Sequence, residues 1–186
     1  MSNNLDYEIN KELGECYLFM GELDKAEQYY QKAANSNGVH AEPYIGLATI
    51  AVQKGELKKA GTLYEKAAKV EPNDKAFAGL GLIETELGSH ERAFGLFEQS
   101  LAINSGNIIS LFGLVQTAYS LGKIEEAVHY LESALELDPS KHEVRFSLAG
   151  CLKSMNRNEE AQKHLEHILD SDPENEAAKE LLSQLI

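Results

Sequence analysis

The stretch Ala41–Asn73, AEPYIGLATIAVQKGELKKAGTLYEKAAKVEPN, decides the fold. It reads as two helices joined by a tight turn. Leu47 and Ala48 lie in the first apolar run, and Gly55 interrupts it with a residue that tolerates positive φ. Ala60, Tyr64 and Ala67 then form an i, i+4, i+7 stripe on the second run, which Pro72 stops. The same pattern extends in both directions. Leu13, Leu47, Leu80, Leu114 and Leu148 stand 34, 33, 34 and 34 residues apart, and each is followed thirteen residues later by Ala26, Ala60, Ala93, Ala127 or Ala161. A period of this length marks a supersecondary module that buries its apolar face by stacking on its neighbours.

Further columns keep step with these two. Beside each leucine comes Gly14, Ala48, Gly81, Val115 or Ala149, and seven residues on comes Gly21, Gly55, Gly88, Gly122 or Asn156 at the expected turn. The second helix carries a large apolar residue, Tyr30, Tyr64, Phe97, Leu131 or Leu165, and then Ala33, Ala67, Ser100, Ala134 or Ile168. Pro72, Pro139 and Pro173 close three of the units, while Gly38 and Ser105 stand where the other prolines would be.

Taken together, these columns resemble the tetratricopeptide repeat (TPR) family. The motif of that family pairs a helix-A leucine and small residue with a turn glycine, a helix-B alanine and aromatic, and a closing proline. The resemblance covers about nine tenths of the chain and implies an all-α fold, a right-handed superhelical solenoid of helix-turn-helix repeats. The repeats are expected over 7–40, 41–73, 74–107, 108–141 and 142–175, with residues 176–186 as a capping helix, the whole forming one solenoid over 1–186. Ala177, Leu181, Leu182 and Leu185 would form the apolar side of that cap, the alternative being a docking tail ending in Leu185 and Ile186. Met1–Asp6 are too few for a helix of their own, so the first repeat is expected either to expose an apolar edge or to have it covered by a partner. Residues 35–39 and 104–107, which lack the proline, read as hinges or as ordinary turns.

Composition excludes several function classes. The net charge of −13 repels a phosphate backbone and an anionic membrane surface, so neither nucleic acid nor membrane is expected as a partner. Residues 41–73 are the near-neutral exception, with Lys54, Lys58, Lys59, Lys66 and Lys69 on or beside the second helix, read as a solvated face or a local acidic contact. Met1–Asn10 has neither the basic start nor the apolar run of a secretory signal, and no stretch is long enough to span a bilayer, so a cytoplasmic location is expected. Cys16 and Cys151 share a column with Ile50, Ile83 and Thr117 and read as small core residues too far apart to pair. Glu160, His164 and His167 share a helix face but specify no fourth ligand, so no metal and no cofactor is expected. Gly79-Leu80-Gly81 lacks the third glycine of a dinucleotide fingerprint, and no nucleophile and base stand at an interpretable spacing, so the chain reads as a non-enzyme.

What remains is surface. The resemblance implies that helix A lines a concave groove where peptides bind, and carried onto this chain the groove is Ile45, Gly46, Thr49, Val52, Ala78, Gly79, Leu82, Ile109, Phe112, Gly113, Gln116, Tyr119 and Phe146. Chaperone-cofactor members of the family hold a C-terminal carboxylate with lysine, asparagine and arginine. Here Lys11 stands in the first lysine position, but Glu15, Gly46 and Gly79 replace the others, so that clamp is broken. An apolar groove with an acidic rim fits an apolar or amphipathic segment with basic flanks. Glycine inside a helix costs about 1 kcal/mol against alanine. Three in register, Gly46, Gly79 and Gly113, therefore read either as a device that deepens the groove or as drift after duplication; on the first reading, alanine there would stabilise the fold and weaken binding. The expected function is a protein-protein interaction adaptor, acting as an assembly factor or chaperone. The alternative is a scaffold that self-associates into homo-oligomers through its terminal repeat, groove or C-terminal helix.

Overall fold

Glycine at the turn column does what its lack of a Cβ permits. Gly21, Gly55, Gly88 and Gly122 have φ between 72° and 76°, and Asn156 has φ of 60°. At Gly55 the amide of Glu56 donates to the Ala51 carbonyl (2.8 Å) and that of Gly55 to Val52 (2.9 Å), the paired bonds that end a helix in a left-handed residue. The same pair recurs at Gly21 and Asn156.

The computed structural model describes residues 2–36 and 39–185, with side chains from residue 4, so Gly38 and Ile186 lie outside the described residues. Among the described residues the secondary structure is eleven helices: α1 (Ser2–Phe19), α2 (Leu23–Ser36), α3 (Glu42–Gln53), α4 (Leu57–Val70), α5 (Asp74–Glu86), α6 (His90–Ile103), α7 (Ile108–Leu121), α8 (Ile124–Leu137), α9 (His142–Ser154), α10 (Asn158–Ser171) and α11 (Glu176–Ser183). From α3 to α10 the helices fall in pairs inside the boundaries read from the period. Residues 2–6 extend α1 rather than forming a separate element. The chain groups into two compact units, Met1–Gly88 with α1–α5 and Ser89–Ile186 with α6–α11, where the period suggested one continuous array.

Each unit has its own core. Ala26 and Ala60 in the first, and Ala93, Ala127 and Ala161 in the second, are all 0% exposed. No larger side chain fits where two helices approach this closely. Tyr30, Tyr44, Leu47, Ile50 and Tyr64 fill the first core, and Phe94, Phe97, Leu111, Leu114 and Leu131 are among those filling the second. Leu181, Leu182 and Leu185 are partly buried against the second core. Asparagines that sequence reading passed over start three of the first-of-pair and cap helices: the side chains of Asn73, Asn107 and Asn175 accept backbone amides at the starts of α5, α7 and α11. Residues 104–107, read as a hinge or a turn, close a turn in which the Asn107 amide donates to the Asn104 carbonyl at 3.0 Å.

Two expectations are corrected by packing. Cys151 is buried, as are Ile50, Ile83 and Thr117 of its column, but Cys16 is exposed. The column faces a preceding helix pair, and among the described residues none precedes α1. Leu5 and Ile9 on α1 are exposed for the same reason. The lysines of residues 41–73 are not simply a solvated face. Lys54 donates to Asp24 (3.0 Å) and Glu27 (2.7 Å), and Lys59 to Glu27 (2.9 Å), tying α2 to the following pair. Lys66 lies 4.3 Å from the Tyr44 ring centroid.

The in-register glycines have a packing role that their sequence did not disclose. Each faces the aromatic of the preceding second helix: Tyr30 on α2 against Gly46, Tyr64 on α4 against Gly79, and Phe97 on α6 against Gly113. A Cβ at Gly46, Gly79 or Gly113 would stand 2.6 to 2.7 Å from a ring Cε1, well inside van der Waals contact. The expectation that alanine stabilises these positions is therefore reversed. Phe97 is 0% exposed and has nowhere to retreat. Gly113→Ala should lose about 1–3 kcal/mol. Gly95→Ala, on a helix with nothing within 4 Å of the added carbon, should gain up to about 1 kcal/mol. Urea denaturation of the two variants checks the contrast, and equal shifts would refute it.

The Lys54 and Lys59 hydrogen bonds hold the Glu27 carboxyl below the usual carboxylate range. A depressed folded-state pKa contributes stability that is present above the unfolded value and lost as pH falls through the folded one. Glu27→Gln should lower the thermal midpoint at neutral pH, and the gap to the parent should close on acidification and in high salt. A gap that ignores both would mean lost packing instead.

Candidate protein-binding groove

In the first unit α1 packs against α3 and α3 against α5, and the residues read as groove lie on α3 and α5. Val52 and Leu82 are 41% and 44% exposed, and Ile45 and Thr49 are half-buried. Thr49 Oγ1 caps the Ile45 carbonyl at 3.0 Å and stands 3.3 Å from the Tyr64 hydroxyl. Two cavities open here. One, of about 400 Å³, is lined by residues that include Glu15, Leu18, Tyr30, Glu42, Gly46, Thr49 and Lys75. The other, of about 320 Å³, is lined by Val52, Leu57, Tyr64, Gly79, Leu82 and Ile83, with Glu86 as its one charge.

In the second unit the corresponding face belongs to α7 and α9. Ile109, Phe112 and Tyr119 are 50%, 37% and 45% exposed, Gln116 is exposed and Phe146 is half-buried. Phe112 and Phe146 line a cavity of about 340 Å³ together with His142, Glu143, Ser147 and Asn175. The Tyr119 hydroxyl is 2.9 Å from Ser154 Oγ, and burial raises its pKa. Lys153 donates to Gln184 just beyond α11.

Not every residue carried over from the motif faces out. Ala78 is 1% exposed and Gly113 is buried under Phe97, so neither offers a contact surface. Gly46 and Gly79 are buried too, but their missing side chains leave openings that line the two cavities of the first unit. Tyr30 and Tyr64, which the periodicity placed only in a helix-B core stripe, reach those cavities through the openings. Their signal in the sequence is an aromatic standing sixteen or fifteen residues before each glycine.

The charges around the groove are mainly acidic. Glu8, Glu15 and Glu42 surround Lys11, which Glu8 holds at 2.8 Å. Burial, and then Glu15, pushes the Tyr30 phenol up to about 12. Burial and Glu42 raise that of Tyr7, whose hydroxyl donates to Glu42 at 3.4 Å. The histidine face singled out for metal is otherwise engaged: Arg157 makes two bonds to Glu160 (2.7 and 2.8 Å), and His164 Nδ1 meets Arg145 at 3.4 Å. Burial, and then Arg145, lowers the pKa of His164. A different group has ligand atoms within 4.8 Å of one another, His40, Glu42 and Glu71 at the surface.

An all-helical chain of stacked pairs, with left-handed turns at a fixed period and an alanine at each close crossing, is a helical repeat protein. Comparison with known proteins places it more narrowly. A tetratricopeptide repeat model matches residues 21–81 and 118–185, more than half of the chain, and the chain belongs to that family. BBSome complex member BBS4 of Bos taurus is 34% identical over 119 residues, which is 62% of this chain and 23% of that protein. The match therefore spans less than a quarter of that relative. Among solved structures, PilF of Pseudomonas aeruginosa superposes with a TM-score of 0.77 at 18% identity, covering 100% of this chain and 92% of that one. YrrB, described as a TPR protein with an unusual peptide-binding site, gives 0.69 at 21% identity over 92% and 89%. At these identities the structural matches speak to fold. No helix among the described residues is long and apolar enough to cross a membrane.

Proposed function

We propose that this chain is a non-catalytic adaptor that holds an apolar or amphipathic protein segment with basic flanks against its helix-A faces, as an assembly factor or chaperone. The observation that carries this reading is the exposed trio Ile109, Phe112 and Tyr119 beside the Phe112–Phe146 cavity. Large apolar groups left in water on one face mark an interaction site. The acidic rim and the net charge of −13 favour basic flanks and disfavour nucleic acid or an anionic membrane. Likeness to BBS4, named as a member of a complex, and to YrrB, named for a peptide-binding site, accords with a partner-binding role. On this reading the chain works in the cytoplasm, where Cys16 and Cys151 stay free thiols.

The test is a pull-down from native lysate with the parent chain beside the Phe112→Glu/Tyr119→Glu variant, both confirmed folded by circular dichroism. The parent should retain proteins that the variant loses. Identical retention by both would defeat the groove assignment.

A second reading, a self-associating scaffold, is favoured by α1 and the residue that follows it, where Leu5, Phe19 and Met20 are 63%, 95% and 59% exposed. Light scattering across concentration separates the two: a mass that stays monomeric at high concentration removes the scaffold.

A further inference from the structure

The three aromatic-glycine contacts do more than fill space. The ring atoms nearest Gly46 are Cζ, Cε2 and Cε1 of Tyr30, and those nearest Gly79 are the same atoms of Tyr64. In both cases the hydroxyl end of a helix-B tyrosine is aimed at a helix-A glycine, so the phenol emerges on the groove face through the gap left by the absent side chain. The Tyr64 hydroxyl stands 3.3 Å from Thr49 Oγ1 on that face. Both tyrosines are nearly buried, at 3% and 8% exposure, and form cavity floors rather than protruding groups. At the third window Phe97 brings a ring without a hydroxyl.

The two floored cavities differ in chemistry. Around the first stand Glu15 and Glu42, neither ion-paired among the described residues, while Lys11 is taken by Glu8 and Lys75 is the one cation in the lining. The second cavity is walled by Val52, Leu57, Leu82 and Ile83, with Glu86 at its edge. Two carboxylates and a phenol in one lining complement an ammonium or guanidinium, and four aliphatic walls complement an aliphatic side chain.

We propose that the Tyr30–Gly46 and Tyr64–Gly79 windows are two side-chain pockets for one partner segment, the first taking a lysine or arginine and the second an aliphatic residue. This rests on the groove reading above and extends it to the side chains that are read.

The test uses isotope-labelled full chain and two defined probes, N-acetyl-arginine amide and N-acetyl-leucine amide, followed by amide chemical shifts through millimolar concentrations. The arginine probe should give saturable shifts at Gly46 and Thr49, and the leucine probe at Gly79 and Leu82. Glu15→Gln/Glu42→Gln should lose the arginine response and keep the leucine response, which also shows that the variant is folded. Absent shifts, shifts confined elsewhere, or an arginine response unchanged in the double variant would each overturn the proposal. Because the pull-down variant alters only Phe112 and Tyr119, the two failures are distinguishable: a discriminating pull-down with silent windows sinks this inference alone.

Discussion

Everything else in each unit depends on how closely one helix pair can approach the next, and an aromatic ring seated on a glycine sets that distance. Burying a tyrosine or phenylalanine is worth about 2–3 kcal/mol, whereas a glycine in a helix costs about 1 kcal/mol. The exchange favours the pairing, provided nothing grows from the glycine. Tyr30 carries the constraint on both sides, since a Cβ at Gly14 would also stand 2.9 Å from its ring. The fully buried alanines perform the complementary task at the close helix crossings. Small residues thus set the spacing, and rings fill the space that the spacing leaves.

The same contact connects stability to the surface. A ring pressed against a helix-A backbone also lines a surface cavity, so a core residue contributes to the surface without being exposed as a protruding side chain. Tyr64 does this with its hydroxyl near Thr49, and Tyr30 in a lining that it shares with Glu15 and Glu42. In the second unit Phe97 closes its window with a plain ring, and the exposed chemistry passes to Phe112 and Tyr119 on the helix itself. The two units therefore present different surfaces from one repeating plan. Ion pairs such as Lys54 with Glu27 add alignment between pairs at the solvent edge, where screening keeps their energetic weight modest.

Much of the fold was legible because its causes are local. A positive φ at Gly55 follows from the residue type and its place between two apolar runs, and the alanine stripe follows from helical spacing. The groove was legible only in part. Val52, Leu82, Ile109, Phe112 and Tyr119 are exposed on the expected face, because register along helix A decides which way they point. Ala78 and Gly113 share that register and are nonetheless buried. Whether a facing position is open depends on what the neighbouring helices lay over it. Cys16 fails in the opposite sense: its column is buried wherever a preceding pair exists, and α1 has none among the described residues.

By itself the sequence determined the family, the helix pairs, the turns and the face each side chain takes, since all of these are set within a single 34-residue period by backbone preference and helical register. Tertiary structure alone decided what the three glycines are for. Tyr30 and Gly46 stand sixteen residues apart on different helices, and no local rule relates them. Only the stacking of one pair on the next brings ring to backbone, turning an apparent helix defect into a seat for a buried ring and, at Gly46 and Gly79, into part of a cavity lining.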